Sequence, residues 1–276
     1  MKTLLATLTI GLSVLVQSPL RAEVSEPSPT VTTIPAPVSG APTAFKGPSY
    51  NDPLYTHGPD ELTALGNATV QIETEFGFGS GTVFRFQVNS TKFVGVLTNA
   101  HVVAKSVMTC MKKEDECKVN PPRVLVKSWL HRDGKIYPLF YYGKVVLPSF
   151  NPALDIAVVK LDEDWVGDYA TFAPADLSLS ASEEVFVVGS PLAEKTQVSS
   201  GLINLLDSRG KIGVSAPIYP GNSGGGAYVF RGKYYFIGIP SEIRVVHTTD
   251  AFTHGYVIPS WTINRYLSGL GVSVLS

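Results

Sequence analysis

The chain is short of cysteine, histidine and charge. Its 276 residues include two cysteines and five histidines, and charged residues make up 16%. Two cysteines are too few for a disulfide-dense scaffold. With no histidine close by, they also fall short of the four ligands of a structural zinc. A formal net charge of −1 without a long basic run lacks the electrostatic footprint of a nucleic-acid binder. Beyond residues 1–22, no apolar run is long enough to cross a bilayer, which takes about 20 residues.

What is present begins like an exported protein. Lys2 is a short positive start, Leu4 to Val16 is an uncharged apolar run, and Leu20-Arg21-Ala22 is a small-residue exit. Residues 1–22 are therefore expected to be a signal peptide cleaved after Ala22, with Ser18 as the alternative position, and not an uncleaved anchor. The product would be secreted or periplasmic, without stable membrane insertion. In residues 23–60, Pro27, Pro29, Pro35, Pro37, Pro42, Pro48 and Pro53 interrupt every candidate helix, so this stretch is expected to be a linker.

Residues 61–276 form the folded region. Ala68–Thr74 alternates apolar and polar residues at period 2, and Thr82–Val88 and Phe93–Thr98 continue as strands. Gly77–Gly81 is expected to be a glycine-rich turn and Asn89–Lys92 a hairpin turn. Arg123–Leu130, Ile136–Tyr142, Gly143–Leu147 and Ile156–Leu161 add further strands, and Asp162–Phe172 is a polar connector. Glu184–Gly189, Thr196–Leu205, Gly210–Ala216, Gly226–Phe230, Lys233–Ile239 and Tyr256–Ile258 make a second set of similar number. Short strands at regular spacing indicate an all-β barrel or sandwich. Trp261–Leu267 is expected to be a C-terminal helix with Ser260 as its N-cap.

Cys110 and Cys117 fall in an insertion over residues 104–122. In an exported chain, two cysteines this close favour one disulfide closing a small loop.

Three segments carry chemistry. In Tyr219-Pro220-Gly221-Asn222-Ser223-Gly224-Gly225-Gly226, a serine sits among glycines with a strand-like run behind it. A serine hydroxyl attacks only when a base takes its proton and donors meet the oxyanion. Among the histidines, His101 closes the apolar run of Val96-Leu97-Thr98-Asn99-Ala100-His101. A single acid, Asp155, enters the run Ile156-Ala157-Val158-Val159-Lys160-Leu161. Each has an ordinary role open to it: a turn, a surface histidine, a cap. Their order, His101, Asp155, Ser223, matches one of the known triad orders.

The Thr-Asn-Ala-His, Asp-Ile-Ala-Val-Val-Lys and Gly-Asn-Ser-Gly-Gly segments resemble the trypsin-like serine endopeptidases, and most closely the protease domain of the HtrA/Deg group. Gly189-Ser190-Pro191-Leu192 with Thr196–Ile203, and Gly255–Ser260, are also similar to that group. The resemblance covers roughly residues 66 to 270. It implies two six-stranded antiparallel β-barrels, about 66–165 and 175–260, with a short helix over 260–268. It further implies a His101–Asp155–Ser223 triad, an oxyanion hole formed by the N–H groups of Gly221 and Ser223, and Ser241 beside Asp155 behind the substrate. Pro217 takes the position at the floor of the S1 pocket, and the absence of an acid there points to a small or medium apolar side chain. A polypeptide is the implied substrate, with no cofactor and no metal. Oligomeric state is not legible. The chain ends at Ser276, so a PDZ domain is not expected.

Two other readings stand beside this one. One is a catalytically silent binding module on the same fold. The other is a serine esterase, since Gly221-Asn222-Ser223-Gly224-Gly225 also satisfies Gly-x-Ser-x-Gly. The esterase motif needs a helix after the serine, and Gly-Gly-Gly-Ala-Tyr-Val-Phe is a strand-former.

Overall fold

The computed structural model describes residues 59–111, 122–149, 151, 154–206, 210–246 and 251–275, all within the unit 51–276. The expected signal peptide and nearly all of the expected linker lie outside the described residues.

The elements in chain order are α1 (Pro59–Asn67), β1 (Thr69–Thr74), β2 (Gly77–Val88), β3 (Thr91–Thr98), α2 (Ala100–Met111), β4 (Arg123–Arg132), β5 (Lys135–Pro148) and β6 (Ala157–Leu161). There follow β7 (Glu184–Gly189), a 3-10 turn (Pro191–Ala193), β8 (Gln197–Leu206), β9 (Ile212–Val214), β10 (Gly226–Phe230), β11 (Tyr234–Val246), β12 (Ala251–Pro259), α3 (Ser260–Gly269) and β13 (Val272–Leu275).

All the strand ladders are antiparallel. The first sheet runs β1-β4-β5-β6-β3-β2-β13, and β1 also pairs with β2, so six strands close into a barrel and β13 adds to it along β2. The second sheet closes as β10-β11-β12-β9-β8-β7. The architecture is the expected pair of six-stranded barrels with a C-terminal helix.

Period-2 alternation explains how the barrels pack. A strand at the contact between them buries both faces: one enters its own barrel and the other enters the layer between barrels. Thus β2 sends Val83 into the first barrel and Phe84 and Phe86 into the shared layer, and β6 sends Val159 inward and Val158 outward. In the second barrel, Val185 and Val187 point inward while Phe186 and Val188 face the shared layer. Phe84 and Phe236 meet edge to face with centroids 5.0 Å apart, and Tyr228 and Phe236 do so at 5.7 Å. Ile263 and Leu267 of α3 are buried in the same layer.

Several local expectations are corrected. Gly77–Gly81 is not a turn but the start of β2, which pairs residue for residue with β1. A Cβ on Gly79 would lie 2.6 Å from Val102, so this glycine permits close packing against α2. Ile136–Tyr142 and Gly143–Leu147 are one strand, β5, with a register shift between Val145 and Leu147 in place of a break. The stretch over 104–122 begins as helix, because α2 runs to Met111 and buries Val103 and Val107 in the first barrel core. The connector over 162–172 is less polar than expected: Trp165 is buried, and its Nε1 donates to Asp168 O at 2.8 Å. Pro259, not Ser260, holds the N-cap position of α3, and Ser260 is the first helical residue. Helix α1 and strand β13 carry no strong local signal and were not anticipated.

Candidate active site

His101 stands in the first turn of α2, directly after β3. Asp155 stands two residues before β6. Strands β3 and β6 pair, with Thr98 opposite Ala157, so the residue leaving one strand meets the residue entering the other. Asp155 has a left-handed φ of 45°, which aspartate tolerates better than most residues.

The Asp155 carboxylate is well engaged. Its Oδ1 accepts from the backbone N–H of His101 at 2.9 Å, and its Oδ2 lies 2.8 Å from His101 Nδ1. Ser241 Oγ donates to the same Oδ2 at 3.0 Å, and Asn99 Nδ2 donates to the Asp155 carbonyl at 3.0 Å. The Asp155 side chain is 14% exposed and that of His101 50% exposed. An ionised carboxylate only accepts, so this contact favours the proton on Nδ1 and leaves Nε2 as the basic nitrogen.

The serine loop is built from two overlapping turns. Asn222 N donates to Tyr219 O at 3.0 Å, and Gly225 N donates to Asn222 O at 3.0 Å. Leu192 N donates to Pro220 O at 2.8 Å. In a trans peptide the C=O and N–H point opposite ways, so the Gly221 N–H faces away from Leu192. By the same argument, the Ser223 N–H points away from Gly225. Among the described residues, neither of these N–H groups has a hydrogen-bond partner.

Ser80 ties this loop to the histidine side. Its hydroxyl donates to Gly221 O at 2.6 Å and accepts from Ser190 N at 2.8 Å. Its amide donates to Ser223 O at 2.7 Å, and its carbonyl accepts from Thr98 Oγ1 at 2.7 Å. Gly224 has φ 90°, and a Cβ there would fall 2.1 Å from Ser80 O and 2.2 Å from Thr98 Oγ1, so only glycine fits. The structure therefore brings His101 and Ser241 each into contact with Asp155, and it ties the Ser223 backbone to Ser80 of β2. The Ser223 hydroxyl makes no hydrogen bond to His101.

A cleft of about 460 Å³ opens beside His101, lined by Asp155 and Ser241 and by Ala104, Val107 and Met108 of α2. Glu242 also lines it and is ion-paired with the nearly buried Lys211. Pro217 does not line this cleft. It is half-buried, and its carbonyl accepts from Ser199 Oγ at 2.7 Å. The neighbouring Ile218 is 4% exposed and packs on Gly255. Ser80, Asn99 and Ile218 were not picked out from the sequence. The Gly79-Ser80-Gly81 run was the available signal for Ser80.

Cys110 lies near the end of α2, while Cys117, and with it the expected pairing, lies outside the described residues. Among the described residues, no group of three or more His, Cys, Asp or Glu is arranged to hold a metal. No described helix is long and apolar enough to cross a membrane.

A family model for the trypsin-like peptidase domain matches residues 79–239. Two proteins named serine protease Do-like HtrA, from Lactococcus lactis subsp. cremoris (strain MG1363) and subsp. lactis (strain IL1403), are 31% and 30% identical over 136 residues. Each alignment takes in 42% of this chain and 32% of the relative, so the chain spans about a third of the length of those relatives. The crystal structure of Deg5 matches with a TM-score of 0.56 at 23% identity, over 77% of this chain and 94% of that one. A serine endoprotease from Yersinia pestis matches with a TM-score of 0.54 at 18% identity, over 78% and 67%. The MamO protease domain from Magnetospirillum magneticum matches with a TM-score of 0.52 at 19% identity, over 74% and 97%. At these identities the structural likeness establishes the fold.

Proposed function

The chain belongs to the trypsin-like peptidase domain family, and from that premise we infer that it is a serine endopeptidase acting through His101, Asp155 and Ser223. The observation that carries this reading is the 2.8 Å contact between His101 Nδ1 and Asp155 Oδ2, with Ser241 donating to the same oxygen.

In this reading, Ser223 Oγ attacks a peptide carbonyl while His101 Nε2 takes its proton. Asp155 holds the tautomer and stabilises the imidazolium. The carbonyl oxygen, now negative, turns toward the unpartnered N–H groups of Gly221 and Ser223, each worth about 3 kcal/mol in a hole of this kind. His101 then gives its proton to the leaving amine, and water repeats the sequence on the acyl-enzyme. The separation of His101 from Ser223 is no obstacle, since such hydrogen bonds often tighten only with substrate bound.

Substrate preference follows from the walls. The apolar α2 side of the cleft suits an apolar residue at the position before the cleaved one, and for the cleaved residue itself neither Pro217 nor the buried Ile218 offers a charge to lysine or arginine. We assign the substrate as a polypeptide cut after a small or medium apolar residue. Strong cleavage after Arg or Lys in a peptide library would overturn that preference. Export guided by residues 1–22 and a Cys110–Cys117 disulfide belong to the same proposal.

The direct test is fluorophosphonate labelling and casein cleavage. Wild type is expected to be labelled and active, and Ser223→Ala neither. The same experiment separates the alternative, a silent binding module on this fold. Wild-type protein that takes up no label would establish the module and sink the enzyme.

A further inference from the structure

A second cleft, of about 250 Å³, lies between α3 and the connector leading into β7. Leu177, Leu179 and Trp261 supply apolar wall, while Ser260, Asn264 and Arg265 supply polar groups. No residue is shared with the cleft beside His101.

Three observations give this cleft a sign and a shape. Arg265 is exposed and makes no ion pair or hydrogen bond among the described residues, and no acidic side chain lines the cleft. Ser260 is only 5% exposed, yet its hydroxyl has no partner among the described residues. Ser260 lines the cleft, and a hydroxyl that faces a cleft without a protein partner is one that a ligand can satisfy. Finally, Ser260 and Trp261 begin α3, whose N-cap is a proline with no side-chain cap bond. The first amides of such a helix carry partial positive charge and lack intrahelical acceptors.

We propose that this cleft binds the C-terminal end of a polypeptide whose last residue is apolar. Arg265, Ser260 and the start of α3 would hold the terminal carboxylate. The Asn264 amide would meet the last peptide group, and Leu177, Leu179 and Trp261 would enclose the side chain. The volume lies below the roughly 300–1,000 Å³ of sites for drug-sized ligands, which suits one terminal residue rather than a long segment. An inorganic anion would leave the apolar wall uncovered, and a fatty acid would leave Asn264 unused. The proposal does not depend on Ser223 chemistry.

Equilibrium dialysis of the full chain against labelled N-acetyl-leucine tests it, with N-acetyl-leucinamide, octanoate and inorganic phosphate as competitors. N-acetyl-leucine is expected to bind saturably, and the amide, lacking the charge, about tenfold more weakly, the loss of roughly one charge-assisted hydrogen bond. Octanoate and phosphate are expected to compete at least tenfold less well. Arg265→Gln should weaken binding about tenfold and Ser260→Ala several-fold, with circular dichroism unchanged. Ligand-induced change in tryptophan emission should vanish in Trp261→Phe while binding by dialysis persists. No saturable binding at millimolar ligand overturns the proposal, as does equal binding of the amide or indifference to Arg265→Gln. Octanoate competing as well as N-acetyl-leucine would make this a fatty-acid site, and phosphate competing as well would make it a simple anion site. Either result refutes the peptide assignment.

Discussion

The backbone amide of Ser80 donates to the carbonyl of Ser223 at 2.7 Å, so a strand of the first barrel holds the serine loop of the second. Ser80 itself is fully buried, and its hydroxyl bridges Gly221 O and Ser190 N. Replacing it with alanine leaves the buried Ser190 amide and the part-buried Gly221 carbonyl without this partner. Ser80→Ala is therefore expected to destabilise the protein by about 2 kcal/mol, read from urea denaturation. Peptidase kcat should fall more than KM changes, because the Gly221 amide is set by this anchor. Unchanged stability would show that water replaces the hydroxyl.

Asp155→Asn should retain the fold and lose activity. An amide facing His101 Nδ1 can impose the wrong tautomer, and in trypsin-type triads this change costs about 10⁴ in kcat. Ser241→Ala removes only one of the bonds to Asp155, so a decrease of about tenfold or less is expected. Steady-state kinetics on one peptide ester compares the two. Comparable losses for both would show that Ser241 acts on the substrate and not through Asp155.

Met108 is 61% exposed and lines the cleft beside His101. Met108→Lys puts a charge on the apolar wall without touching a core contact. For substrates with leucine at the position before the cleaved residue, kcat/KM should fall about tenfold, in line with roughly 1–3 kcal/mol per methylene-scale change in an apolar pocket. Thermal stability should stay within about 0.5 kcal/mol. Equal kcat/KM for leucine and glycine at that position in wild type would argue that the cleft lies off the substrate path.

Tyr228 is completely buried, and desolvation pushes its hydroxyl pKa well above the ordinary 10.0, with the Thr82 and Thr69 hydroxyls opposing weakly. The folded protein thus keeps this proton at pH values where the unfolded chain releases it. Stability from this group is complete below about pH 10 and declines as pH rises further, by at most about 1.4 kcal/mol per pH unit. Urea midpoints at pH 9 and pH 11 should diverge less in Tyr228→Phe than in wild type. Equal divergence in the two proteins would assign the alkaline loss to other groups.

Most of the strands were legible from alternation, because a barrel strand buries a face of period 2, and those at the barrel contact bury both. The helix α2 was not: Asn99 stands at its N-cap position, but it follows a strand run without a break, and the apolar spacing of α2 gains meaning only against β1, β2 and β5. Strand β13 is four residues long and becomes a strand only because the edge of β2 is open to it. Gly77–Gly81 looked like a turn because local propensity cannot distinguish a glycine that bends from one that lets Val102 approach. Ser80 is not legible for the same reason: its importance lies in partners 110 and 141 residues away.

By itself, the sequence determined the kinds of groups available and their local settings: a histidine closing one apolar run, an aspartate opening another, a serine among glycines. Which of these touch was decided by tertiary structure. The meeting of His101 and Asp155, 54 residues apart, follows from the pairing of β3 with β6, and the seat of Ser223 follows from Ser80 on β2. Barrel closure sets those registers, because a one-residue slip would turn every buried side chain to the opposite face.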